Sequence, residues 1–172
     1  MDGSTEQTES LDPRRTLTPG SAPDGLEALY TQSMPEAVGL AYLLTGDARE
    51  AGGMADEAFL RATGRFTHRI TRDRFPVALR RHLVRIFLSS ARHGAPEPDG
   101  SDAKPEEDGL WRSVLSLPAQ ERVAAILRFG RGLSEEDVAH ALGCSLADAR
   151  SALSRSIERL EGSGGRGTPA MP

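Results

Sequence analysis

One cysteine, one lysine and one tryptophan stand among the 172 residues, and aromatics make up only 5% of the chain. With Cys144 alone, neither an internal disulfide nor a multi-cysteine zinc site can form, which suits a reducing compartment. The shortage of aromatics, beside 38% apolar residues, 18 Gly and 11 Pro, argues against a β-sandwich and for compact helical packing. No run of 18 uncharged apolar residues occurs, and the opening MDGSTEQTESLDPRR carries acids where a secretory leader needs a basic start. A cytoplasmic protein without membrane insertion is expected. No nucleophile elbow, P-loop or dinucleotide fingerprint is present, so neither an enzyme nor a cofactor is expected. His140 and Cys144 lie four apart, but two ligands do not make a metal site, and none is expected.

Arginine, by contrast, is plentiful and unevenly spread. The net charge of −4 conceals a block from Arg61 to His93 with nine arginines against the single acid Asp73, a local charge of +8. Residues 94–109 swing to −5. A guanidinium can fork onto a phosphate or a guanine edge where an ammonium acts as a point charge, so the block suits a polyanion, although it also suits a solvated helix face.

Residues 1–23 are rich in Ser, Thr, Pro and acids, with too little apolar surface to offset ordering, and read as a disordered tail. A helical domain is expected over 24–92. Leu26, Leu29, Tyr30, Met34, Val38, Ala41 and Tyr42 recur at helical spacing up to Leu44; a second helix starts at Asp47 with a Met54, Ala58, Phe59, Ala62 stripe. Gly52 and Gly53 weaken that helix by about 1 kcal/mol each relative to Ala. A third helix, Pro76 to Ala91, sets Leu79, Leu83, Ile86 and Phe87 against Arg80, Arg81 and Arg85, with Arg92 just beyond. HGAPEPDGSDAKPEED then holds three Pro, two Gly and six acids, and residues 93–106 are expected to be a flexible acidic linker able to hold two modules apart. Residues 107–161 form a second helical domain, with Trp111 packing in a core or between domains, and 162–172 a loose tail. The fold class is all-α: two small helical domains joined by a linker.

The stretch Leu133 to Leu160 is the most informative. Ser134 with Asp137, and Ser145 with Asp148, are two N-caps eleven residues apart, and Gly143 between them supplies a left-handed turn residue. Val138, Ala139 and Leu142 can then meet Ala149, Leu153, Ile157 and Leu160, leaving Ser151, Ser154 and Arg155 outward and Arg150 on the flank. The pattern fits a helix-turn-helix whose second helix enters a major groove better than an ordinary helical hairpin, because two caps, the Gly and a polar outer face agree.

From Leu26 to Leu160 the chain resembles the sigma-70 family, specifically its extracytoplasmic-function (group IV) sigma factors. AYLLTGDAREAGGMADEAFLRA is similar to the family's polymerase-gripping helix, VALRRHLVRIFLSSARHG to its basic −10 helix, and LPAQERVAAILRFGRGLSEEDVAHALGCS to its L-P-x-x-x-R … G-L-S signature. The resemblance implies a factor that binds core RNA polymerase and directs it to promoter DNA, commonly restrained by an anti-sigma partner. It implies polymerase contact at Met54, Asp56, Glu57, Phe59 and Leu60, −10 contact at Arg80, Arg81, Arg85 and Arg92, and −35 contact at Arg150, Ser151, Ser154 and Arg155. Gly52-Gly53 replace the family's usual acidic pair and Ala78 an often aromatic residue. An alternative of another class is therefore a sigma-derived adaptor that sequesters a partner or docks on polymerase without itself opening promoters.

Overall fold

The structure is a computed structural model and describes residues 22–64, 74–92 and 108–164. Most of the two tails, the expected linker, and Arg65, Arg69 and Arg72 of the basic block lie outside the described residues. Every regular element among the described residues is helical: α1 (Ala22–Thr45), α2 (Ala48–Thr63), α3 (Phe75–Arg92), α4 (Asp108–Leu115), α5 (Ala119–Ala125), α6 (Glu135–Leu142) and α7 (Leu146–Gly164). The expected starts and stops fall within a few residues of these bounds. Asp47 caps α2 by accepting a hydrogen bond from the Glu50 amide at 2.7 Å, and Gly46 at φ 76° makes the turn before it. The helix beginning at Ala119 widens into a π-helix over Ile126–Gly130.

The first three helices pack around α2, whose inward face is mostly alanine. Ala51, Ala55, Ala58 and Ala62 are buried with Met54 and Phe59, and small side chains let α1 and α3 come close on either side. Met34, Leu40 and Leu44 of α1 and Phe75, Leu79, Leu83 and Phe87 of α3 complete this part of the core. A relay of edge-to-face rings runs through it, Tyr30 to Phe59 at 5.0 Å and Phe59 to Phe75 at 5.5 Å. Each large apolar side chain buried here contributes about 1.5–3 kcal/mol relative to exposure.

The second group, α4 to α7, buries Val123, Leu127, Val138, Ala149, Ala152 and Leu153. On α7 the buried row is Ala149, Ala152, Leu153 and Ser156, whereas Ile157, expected inside, is 40% exposed. Ser156 is tolerated at the buried position because its hydroxyl donates to the Leu153 carbonyl at 2.7 Å.

The two groups also pack on each other, so the core runs continuously through both. Trp111 stacks on Tyr42 at 6.0 Å, and Leu115 lies so close to Gly46 that a Cβ there would sit 2.8 Å from its methyl group. Arg122 of α5 reaches across to the Leu44 carbonyl at 2.8 Å, also donates to the carbonyls of Leu115 and Leu117, and lies 5.6 Å from the Phe87 ring centroid. Arg131 donates to the Glu36 carbonyl at 3.3 Å. The sequence suggested modules able to stand apart; in this structure apolar surface on both sides, and α1 carbonyls that accept from Arg122 and Arg131, draw them together.

Candidate nucleic-acid interface

The α6–α7 corner is built from local chemistry. The Ser134 hydroxyl accepts from the Asp137 amide at 3.1 Å and donates to the Asp137 carboxylate at 2.8 Å. Ser145 repeats the pair with Asp148 at 3.1 and 2.7 Å. Between them Gly143 adopts φ 69°, ψ 34°, and the amides of Gly143 and Cys144 both donate to the Ala139 carbonyl. Cys144 is exposed in the turn, its thiol pKa raised by partial burial and by the nearby Asp148 charge.

This corner fixes the outward face of α7. Arg150, Ser151, Ser154 and Arg155 are all exposed, and Ser151 donates to the Ala147 carbonyl at 2.9 Å. The two arginines are not loose. Arg150 donates through Nε to Glu135 Oε2 at 2.6 Å, a contact that raises its pKa. Arg155 donates through Nε to Glu121 Oε1 at 3.0 Å, and Arg159 Nε lies 2.8 Å from Glu121 Oε2. The Glu121 side chain is only 7% exposed and ion-pairs with both arginines, Oε1 through a hydrogen bond from Arg155 and Oε2, which accepts no hydrogen bond, through its proximity to Arg159. Sequence reading missed Glu121, Glu135 and Arg159, since the first pairs across 34 residues and no motif marks it.

On α3, Arg81, Arg85 and Arg92 are exposed and Arg80 half-buried, its guanidinium 3.7 Å from Glu36. Arg81, Arg85 and Arg92 line one cleft of about 330 Å³ whose far wall is Leu142 and Gly143 at the end of α6. A neighbouring cleft of about 300 Å³ brings Arg92 together with Glu121 and Arg155. Residues expected at two separate DNA elements thus meet at one seam.

The residues expected at the polymerase divide. Asp56, Glu57 and Leu60 are exposed on α2, Leu60 by 69%. Met54 and Phe59 are each only 5% exposed, because the apolar stripe of α2 faces α1 and α3, and they present no surface to a partner. Asp56 accepts from the Tyr30 hydroxyl at 2.9 Å, raising the Tyr30 pKa, and Glu57 pairs with Arg61 at 2.6 Å. A Cβ added at Gly52 or Gly53 would meet nothing within 4 Å, so no close packing requires glycine there.

Among the described residues no group of three or more His, Cys, Asp or Glu could hold a metal ion, and no helix is long and apolar enough to cross a membrane. The fold and these surfaces define a class: an all-α protein displaying arginines on two helices from different parts of the chain. No family model matches. In sequence the chain is 28% identical over 153 residues to the ECF RNA polymerase sigma factor SigE of Mycolicibacterium smegmatis, covering 78% of this chain and 59% of that protein's length. In fold it matches the sigma factor RpoE of Bartonella quintana, crystallised with the anti-sigma factor NepR, at a TM-score of 0.58 and 17% identity, covering 84% of this chain and 99% of the other. The first is a likeness in sequence to an ECF sigma factor, and the second is a likeness in fold.

Proposed function

We propose that the chain is a sigma factor: it binds core RNA polymerase, carries it to particular promoters and leaves the chemistry to the polymerase. In this reading residues 24–92 and 107–161 act as two modules, with 93–106 as the strap that lets them part on an extended partner. Asp56, Glu57 and Leu60 meet the polymerase, Arg81, Arg85 and Arg92 follow the phosphates of the −10 element, and the second helix of a helix-turn-helix reads the −35 duplex. The observation that carries the reading is the capped α6–α7 corner with Arg150, Ser151, Ser154 and Arg155 on its exposed face. A protein working on polymerase and promoter acts in the cytoplasm. Because the fold neighbour was crystallised with an anti-sigma factor, a comparable restraining partner is part of the proposal. The adaptor alternative is not favoured, since both likenesses are to sigma factors.

The test is reconstitution. Full chain plus core polymerase on genomic fragments should give run-off transcripts from discrete starts. Polymerase binding without any such transcript would instead support the adaptor.

A further inference from the structure

We infer that Glu121 and Glu135 are positioning residues that hold the α7 arginines in a reading posture; the inference rests on the proposed groove-reading role of α7. A carboxylate as enclosed as Glu121 is costly to bury and persists only when paired. Its two oxygens divide between Arg155 and Arg159, one helical turn apart. Glu135, at the start of α6, treats Arg150 in the same way.

The shared detail is the atom. Both Arg150 and Arg155 are engaged through Nε, and both side chains remain half-exposed or more, 58% and 50%. Arginine has five donors in a rigid planar fork. With Nε–H spent on a carboxylate, the Nη edge stays available to a guanine O6/N7 pair or a phosphate, and the plane of the fork is already set. A long side chain fixed before binding loses less rotamer freedom on contact, so the carboxylates convert two flexible cations into oriented donors. Glu121 comes from α5 and Glu135 from α6, so each reading arginine is braced by a different helix.

A carboxylate close to DNA could instead act as a simple screen that weakens every contact alike, and the two roles have opposite signatures. The experiment uses full-chain holoenzyme and a random-sequence duplex pool. E121Q and E135Q keep the side-chain shape and remove the charge. Positioning predicts that each variant loses about tenfold in preference for the enriched duplex over a scrambled one, while affinity for the scrambled duplex rises because a negative charge is gone. It also predicts that Arg155 Nε–H in E121Q, and Arg150 Nε–H in E135Q, lose protection from solvent exchange by NMR. Equal gains on both duplexes, or an unchanged preference with an unchanged melting temperature, overturn the inference while leaving α7 as the reader. Failure of the wild-type holoenzyme to enrich any duplex overturns the reading of α7 and the inference with it. E135Q sits at a more open helix start than E121Q, so its result stands even if the buried substitution destabilises the fold.

Discussion

The helices α3 and α7 both display arginines, yet they hold them differently. On α3, Arg81, Arg85 and Arg92 have no carboxylate partner among the described residues. On α7, Arg150 and Arg155 are each anchored by a carboxylate from another helix. A free guanidinium follows whatever phosphate is near, whereas a braced one presents a fixed fork to a base edge. On the function proposed above, α3 serves attachment and α7 discrimination, a contrast that composition alone does not reveal.

Removing the attachment surface should have the largest effect. The triple variant Arg81→Ala, Arg85→Ala, Arg92→Ala should flatten the salt dependence of DNA binding by about 3 in log–log slope, losing affinity for all sequences together, as a titration over ionic strength would measure. Arg155→Ala should cost about 1–3 kcal/mol on the preferred duplex and relax selectivity at one position, with Glu161→Ala unchanged in the same mobility-shift assay. If the triple variant altered sequence preference, or Arg155→Ala weakened all duplexes equally, the contrast between the helices would be lost.

Smaller effects separate the two halves by stability. Gly143 sits at φ 69° with open space around it, so Gly143→Ala meets strain without a clash and should destabilise by about 1–2 kcal/mol, read as a lower melting temperature. Gly52→Ala and Gly53→Ala, in an ordinary helix with no neighbour in reach, should each stabilise by about 1 kcal/mol. Replacing the same pair with Glu-Asp should raise affinity for core polymerase; an unchanged dissociation constant would show that this stretch is not the contact.

Much of the fold was legible because its signals are local. The Ser134 and Ser145 caps, the Gly143 turn and the α2 and α3 stripes each depend on residues within one or two helical turns. The harder features are long-range. Arg122 bonds to Leu44 across 78 positions and Glu121 to Arg155 across 34, and no spacing rule connects them. Met54 and Phe59 belong to the α2 stripe and also to the stretch read as resembling a polymerase-contact helix; only packing assigned them to the core. On α7 the buried row includes Ser156 rather than Ile157, because a serine that satisfies its own hydroxyl can occupy a core position that a hydropathy pattern denies it. The seam between the halves was equally hidden, since an acidic strap fixes how far two bodies can separate and not whether they adhere.

The sharpest check on this division of labour is hydroxyl-radical footprinting of the reconstituted holoenzyme on a transcribed fragment. Two protected patches are predicted, the upstream one lost in Arg155→Ala and the downstream one lost in the Arg81, Arg85, Arg92 triple variant. A single patch, or two that vanish together in either variant, would contradict the assignment of separate DNA elements to α3 and α7.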